Sequence, residues 1–91
     1  MSSPILYAKQ EVISTTRIKK SRYYEYLENG ILPPPVGREG NANRWSSAVI
    51  NDVSNRMLIL GDDYTSEHTL GIMLEHLAKH EAMINAFKAK L

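Results

Sequence analysis

The 91-residue sequence contains no cysteine, so disulfide bonds and thiolate metal sites are excluded as sources of stability. Stability must come from the packing of apolar side chains, helped by association between copies if the core of one chain is thin. The absence of cysteine also fits a reducing compartment, and we therefore expect a cytoplasmic protein.

Long apolar runs are missing as well. No segment approaches the roughly 20 consecutive apolar residues that a membrane-spanning helix requires. Residues 1–10 lack the basic start and the long apolar stretch of a signal peptide. We expect a soluble protein that is neither exported nor bound to a membrane.

The motifs of common enzyme classes are a third absence. No Ser-His-Asp set, glycine-rich phosphate-binding loop or pair of carboxylates has the spacing that its chemistry requires. A chain this short also has little room for a deep catalytic cleft. We expect that the protein is not an enzyme and that it needs no cofactor.

The net charge is small, at +1, but the charges are unevenly distributed. Residues 1–56 contain eight Lys or Arg against five Asp or Glu, an excess of three positive charges. Residues 57–91 contain three Lys against five Asp or Glu, an excess of two negative charges. A basic half suits contact with a polyanion, while the acidic half would face away from it.

Two short helices are predicted in the N-terminal part of the chain. An apolar stripe at helical spacing runs through residues 7–14, and a second helical run covers residues 19–29. The short polar break between them has the spacing of a helix-turn-helix unit. Asn29 and Gly30 end the second helix, because both residues tolerate the left-handed backbone of a helix C-cap.

A β-hairpin and a third helix are predicted next. The three prolines at 33–35 prevent the helix from resuming, and Val36 and residues 44–45 are expected to form two short strands around a tip rich in Gly and Asn. We interpret this hairpin as a wing. Serines at the start of residues 46–60 cap the third helix. Its buried stripe is predicted to contain Val49, Ile50, Val53, Met57 and Leu60.

The C-terminal segment carries a heptad pattern. A single helix is predicted for residues 67–90, in which apolar residues recur every seven positions with a second set at an offset of three. We prefer a two-fold coiled-coil dimer to a helix lying across its own domain, because a domain of about 60 residues offers little surface to cover so long a helix. The predicted dimer seam consists of Leu70, Met73, Leu77, His80, Ile84, Phe87 and Leu91.

The histidines raise the alternative of a metal site. His76 and His80 lie four residues apart, and His68 precedes them on the same predicted helix. No Asp, Glu or Cys completes a plausible ligand set on that face, so a polar seam residue is the preferred interpretation of His80. We expect no bound metal.

Several spaced motifs occur between residues 6 and 57. They are Glu11-Val12 in the first helix, Ser21-x-x-Tyr24 in the second, Asn29-Gly30 with the Leu32-Pro33 exit, and Arg44-Trp45 before the third helix. In combination they resemble the AlpA and excisionase group of phage regulators, which belong with the MerR-like winged helix-turn-helix domains. Proteins of that group usually have Gly where this chain has Arg17, and a small N-capping residue where it has Lys19.

The resemblance implies a mainly α fold, with a MerR-like winged helix-turn-helix domain in residues 1–61 and a dimerising helix in residues 62–91. It also implies a nucleoid-associated homodimer that binds double-stranded DNA and regulates transcription of phage or mobile-element genes. A recombinase or a phage regulatory protein is a further expected partner.

A recognition helix in residues 19–29 would turn Ile18, Tyr23 and Leu27 inward and present its polar face to the major groove. Trp45 is expected to belong to the core. The predicted DNA-contacting residues are Arg17, Lys19, Lys20, Ser21, Arg22, Tyr24 and Glu25, with Arg38, Asn41, Asn43 and Arg44 in the hairpin.

Two other functions stay open at this point. An excisionase uses the same type of domain to bend DNA and direct a recombinase. A protein-interaction adaptor that has lost DNA binding is the other alternative, supported by Glu25 and Glu28, because carboxylates on the groove face repel phosphate.

Overall fold

A computed structural model describes residues 6–40 and 42–89. Helices account for 69% of the structure, and three short strands form one antiparallel sheet, so the mainly α class is confirmed. None of the helices in these residues is long and apolar enough to cross a bilayer. The elements are β1 (Leu6–Tyr7), α1 (Lys9–Thr16), α2 (Lys20–Glu28), β2 (Gly37–Glu39), β3 (Ala42–Ser46), α3 (Ser47–Leu60), a 3-10 turn (Gly61–Asp63), α4 (Ser66–Glu75) and α5 (Leu77–Ala89).

A tight turn separates α1 from α2. Arg17 ends α1 in the left-handed region, at φ 58°, and its N–H donates to the carbonyl of Ile13 over 2.9 Å. A side chain in that region costs about 1–2 kcal/mol, which glycine would avoid. Lys19 is the N-cap of α2 and supplies no side-chain cap bond. Neither Arg17 nor Lys19 is therefore the residue type that its local backbone position prefers.

The exit of α2 follows the predicted stop signal. Gly30 has φ 79°, and the N–H of Ile31 donates to the carbonyl of Tyr26 over 2.9 Å, which closes the last turn. The chain then continues through the three prolines without regular structure. The indole Nε1 of Trp45 donates to the carbonyl of Pro33 over 2.8 Å and ties this extended segment to β3.

The sheet has the strand order β1-β3-β2. The predicted hairpin is formed by β2 and β3, with Gly37 opposite Arg44 and Arg38 opposite Asn43. Strand β1 was not expected, because residues 1–6 gave no strand signal and the first helix was predicted to begin at Tyr7. Pairing of Tyr7 with Trp45 of β3 holds this two-residue strand in place.

A first hydrophobic cluster lies beneath α1, α2 and the sheet. It is completed by the partly buried Ile18 and Leu27, and Trp45 within it is only 1% exposed. The predicted inward orientation of the second helix is thus confirmed for its apolar side chains. We call this group of buried residues the hairpin-side core: Val12, Tyr23, Leu32, Trp45 and Ile50.

The prediction of one continuous C-terminal helix is wrong. Helix α4 ends at Glu75, and the backbone of its C-cap residue His76 (φ −105°, ψ 14°) is not helical. A second departure from helical geometry occurs inside α5 at His80, at φ −133° and ψ 33°. The two breaks let α5 fold back against α4 and α3 instead of extending away from the domain.

This fold-back creates a second hydrophobic cluster, the tail-side core. It joins residues of α3 to residues of α4 and α5, so one core crosses the predicted boundary between residues 61 and 62. Intramolecular burial therefore removes the apolar surface that a coiled coil would have used. The tail-side core consists of Val49, Val53, Tyr64, Ile72, Met73, Met83, Ile84 and Phe87.

The predicted seam residues do not form one exposed stripe, which corrects the seam assignment. Met73, Ile84 and Phe87 are buried in the tail-side core, and Leu70 packs against it. Leu77 remains 46% exposed. The Nε2 atom of His80 lies 3.0 Å from Oγ of Ser46, so this ring contacts the junction of β3 and α3. Leu91 lies outside the described residues.

Two contacts fasten the exit of α2 to the C-terminal segment. The hydroxyl of Thr69 donates to the carbonyl of Ile31 over 2.6 Å and lies 2.6 Å from the hydroxyl of Tyr64, whose pKa is raised by burial. The ring of Phe87 packs over Gly30 so closely that an added Cβ would lie 2.8 Å from Phe87 Cε2. Helices α4 and α5 thus pack against the chain at the C-terminal end of α2.

Candidate nucleic-acid interface

The polar face of α2 is turned to solvent. Tyr23 is buried at 3% exposure and anchors the helix, while the adjacent Tyr24 is 65% exposed. The sequence predicted this division, and it is confirmed for the other polar positions of the helix. The exposed residues of α2 are Lys20, Ser21, Arg22, Tyr24, Glu25 and Glu28.

An ion pair lies on this face. Arg22 Nη1 is 3.1 Å from Glu25 Oε2, with both side chains more than half exposed, at 59% and 51%. A pair this exposed contributes about 0–1 kcal/mol, because water and salt screen the attraction. Arg22 can therefore exchange Glu25 for a stronger acceptor at small cost, although the carboxylate would still lie close to any bound anion.

The hairpin supplies a second set of polar side chains. Arg38 and Asn43 are exposed at paired positions of β2 and β3. Arg44 is half-buried, and its Nη1 contacts the carbonyl of Asn43 at 3.5 Å. Asn41 was predicted as a contact at the tip but lies outside the described residues.

Sequence reasoning missed Lys9, the first residue of α1. Its Nζ donates to the hydroxyl of Tyr24 over 2.7 Å and lies near both tyrosine rings, 5.1 Å from the centroid of Tyr23 and 4.6 Å from that of Tyr24. Burial, and secondarily the neighbouring Tyr24, raises the pKa of Tyr23 to about 12, so this phenol is neutral. No local pattern indicated the contact, because it joins residues 15 positions apart.

A groove of about 450 Å³ separates the start of α1 and the face of α2 from β3. We call it the α2–β3 groove. Among the described residues that line it none is Asp or Glu, so its charged groups are all positive. The polar side chains on its walls are Lys9, Gln10, Tyr24, Asn43 and Arg44.

The turn between α1 and α2 borders a second groove of about 570 Å³, which separates it from α3. Arg17, Lys19 and Arg22 line this groove together with the apolar side chains of Met57 and Leu58. Of the predicted site residues, Arg17, Lys19 and Arg22 therefore line this groove, and Tyr24, Asn43 and Arg44 line the α2–β3 groove. Lys20, Ser21, Glu25 and Arg38 line neither of these two grooves.

The histidines take separate partners. His68 Nδ1 accepts from the N–H of Thr65 over 3.1 Å, and His76 Nε2 lies 3.2 Å from Asp52 Oδ2. Across residues 6–40 and 42–89, no group of three or more His, Cys, Asp or Glu is arranged to hold a metal ion.

Comparisons with protein-family models, with curated proteins and with solved structures gave no match to this chain.

Proposed function

We propose that the protein is a sequence-specific duplex-DNA-binding regulator of the winged helix-turn-helix type. In this proposal α1 and α2 are the helix-turn-helix unit, α2 is the recognition helix, and the β2–β3 hairpin is the wing. The observation that carries it is the exposed polar face of α2, next to a groove that Tyr24 lines together with Asn43 and Arg44 of the hairpin. The described walls of this groove have cations and amides but no carboxylate.

The residues of α2 divide by chemistry. Arg22 suits a bidentate contact to guanine, Glu25 accepts from cytosine, and Ser21 can serve either purpose. Lys20 and the turn residues Arg17 and Lys19 suit phosphates, which position the protein without reading sequence. The ion pair of Arg22 with Glu25 would open or be shared when the helix enters the major groove.

The hairpin would reach the flanking minor groove. Arg38 and Asn43 project from its paired strands, and the guanidinium of Arg38 suits the negative potential of a narrow minor groove. Arg44, nearer the base of the hairpin, suits the backbone between the two grooves. An excisionase would use the same surface while bending the duplex and recruiting a recombinase.

The proposal includes two copies acting on inverted or closely spaced half-sites, because a single α2 covers only a few base pairs. The contact between copies is not placed on the C-terminal helices, because most of their apolar residues belong to the tail-side core. Homodimer formation stays a prediction, and sedimentation of the protein with and without a bound duplex measures it.

The assignment of α2 is tested with two alanine variants. On a duplex selected from a random pool, Arg22→Ala should cost about 1 to 3 kcal/mol of binding free energy and relax the base preference at one position. Lys20→Ala should weaken binding to selected and random duplexes alike and lower the salt slope by about 1. Fluorescence anisotropy over a range of salt concentrations measures both effects.

Lys88→Ala is the matched control, because Lys88 is an exposed lysine of α5 in the acidic half of the chain. It should leave the affinity and the salt slope unchanged. The recognition-helix assignment is wrong if the Arg22 and Lys20 variants bind both duplexes as tightly as the unsubstituted protein.

A second candidate function is a protein-interaction adaptor. Leu58 and Ile59, adjacent residues of α3, are 68% and 81% exposed, and such apolar exposure is a feature of contact surfaces. The adaptor would be favoured if the unsubstituted protein failed to shift random duplex DNA at low salt. Electrostatic binding of that kind needs no specific site, so its absence would be informative.

A further inference from the structure

We propose that Lys9 and Tyr24 together form a clamp for one phosphodiester group of the DNA backbone, at the α1 wall of the α2–β3 groove. The inference rests on the proposed function and deepens it, because it names a cation outside the recognition helix α2 and assigns it a ligand. The clamp consists of two hydrogen-bond donors, the Lys9 ammonium and the Tyr24 hydroxyl, whose N and O atoms are 2.7 Å apart.

Both the Lys9 ammonium and the Tyr24 hydroxyl can still donate hydrogen bonds to a ligand. The Lys9 ammonium has three N–H donors and gives one to the hydroxyl oxygen of Tyr24, so two remain. The Tyr24 hydroxyl accepts that bond and keeps its own proton. A hydroxyl that accepts from a cation is polarised and becomes a better donor, and the two free oxygens of a phosphodiester are the matching acceptors.

The clamp is ordered before any ligand arrives. The Lys9 ammonium is hydrogen-bonded to the Tyr24 hydroxyl and lies 5.1 Å from the ring centroid of Tyr23, whose π electrons attract its charge, and Tyr23 is held in the hairpin-side core. The rings of the two tyrosines meet edge to face at 4.9 Å. A flexible lysine usually loses side-chain entropy on binding, and much of that loss is already incurred here.

The opposite wall of the groove completes an environment for an anion. Asn43 and Arg44 of β3 line it, Gln10 lies beside Lys9, and none of its described lining residues carries a negative charge. A DNA strand that passes from the face of α2 towards the hairpin would cross this groove. Its backbone would then meet Lys9 on one side and Arg44 on the other.

A purely structural role for Lys9 makes a different prediction. If the ammonium only packs on the tyrosine rings, its removal should lower the free energy of unfolding and leave the salt dependence of DNA binding unchanged. If it neutralises a phosphate, its removal should reduce the number of counterions released, which appears as a smaller salt slope.

The test measures duplex binding against salt concentration for Lys9→Met, Lys9→Arg and Tyr24→Phe. Lys9→Met keeps the apolar stem and should lower the salt slope by about 0.9, on selected and random duplexes alike. Lys9→Arg should keep the slope. Tyr24→Phe removes a neutral donor, so it should weaken binding several-fold with little change in slope, and it should cost less in the Lys9→Met background.

The controls separate failure of the clamp from failure of the proposed function. Lys88→Met should match the unsubstituted protein, and thermal unfolding of each variant reports any loss of fold. An unchanged slope for Lys9→Met, beside a reduced slope for Lys20→Ala, would overturn the clamp and leave DNA binding intact. Absence of duplex binding by the unsubstituted protein would overturn both proposals.

Discussion

Phe87→Ala is expected to lower the free energy of unfolding by about 3 to 5 kcal/mol, because it removes a ring from the tail-side core and leaves a cavity. A chain of this length has a total stability of about 5 to 14 kcal/mol, so the loss is a large share. Urea unfolding followed by the fluorescence of Trp45, the single tryptophan, measures it. The loss should persist at protein concentrations at which sedimentation shows a monomer, because these contacts are intramolecular.

Leu77→Ala is the matched control for Phe87→Ala, because it tests whether the C-terminal helices pack on their own domain or form a coiled coil. Leu77 is the central leucine of the heptad pattern, yet it is 46% exposed, so its truncation should cost less than about 1 kcal/mol. A coiled-coil dimer would reverse this outcome. It would make Leu77→Ala costly and would make the midpoints of the unsubstituted protein rise with protein concentration.

Gly30→Ala is expected to lower the free energy of unfolding by about 2 to 4 kcal/mol. Two costs combine: a side chain at φ 79° is strained by about 1–2 kcal/mol, and the new Cβ would lie 2.8 Å from Phe87 Cε2 and force the ring to move. Alanine also restricts the unfolded chain more than glycine does, and this effect offsets a fraction of the loss in stability. Urea unfolding gives the size of the effect.

Gly40→Ala isolates the first cost, the backbone strain at positive φ. Gly40 has φ 64°, but nothing lies within 4 Å of a Cβ built on it, so only the backbone strain applies. We expect a loss of about 1 kcal/mol. Equal losses for the two variants would contradict the close packing of Phe87 against the end of α2. Combining Gly30→Ala with Phe87→Ala should relieve part of the cost, because the two residues are in contact.

The elements with strong local signals were predictable from the sequence. Helix α3 begins after Ser46, whose Oγ accepts from the N–H of Val49 over 3.4 Å, and it ends at Gly61. Both signals lie within a few residues of the positions that they define. The end of α2 at Gly30 is predictable for the same reason, since the left-handed residue and the bond that closes the turn are local.

The course of the C-terminal segment was not predictable from the heptad spacing. The spacing places apolar residues on one side of a helix but does not say which surface covers them. A wider stripe was present in the sequence, since Ile72 adjoins Met73 and Met83 adjoins Ile84, and all four are buried. A coiled-coil seam is narrower than this, so the paired apolar residues favour packing on the chain's own domain.

The breaks at His76 and His80 involve contacts that no local pattern contains. His80 lies 3.0 Å from Ser46 Oγ, across 34 positions of sequence, and His76 lies 3.2 Å from Asp52. Histidine has no strong intrinsic tendency to end a helix, so tertiary contacts decide the break. The same reasoning applies to Lys9 and Tyr24, whose contact requires α1 and α2 to be placed first.

One part of the candidate interface was predictable from the sequence and another part was not. Exposure of the polar face of α2 follows from the burial of Tyr23, with Ile18 and Leu27 packed around it, which the spacing of these residues predicted. The groove that joins α2 to β3 depends on how the hairpin packs against the helices. Its lining by Lys9 and Arg44 therefore emerged only from the three-dimensional arrangement.

Amide chemical-shift mapping tests the central claim most directly. ¹⁵N-labelled protein is titrated with a random-sequence DNA duplex at low salt, and shift changes are followed for every assigned residue. We predict the largest changes at Lys20–Glu25 and in the β2–β3 hairpin, with Lys9 among them and α5 little affected. Changes concentrated on α4 and α5, or no changes at any DNA concentration, would contradict the account.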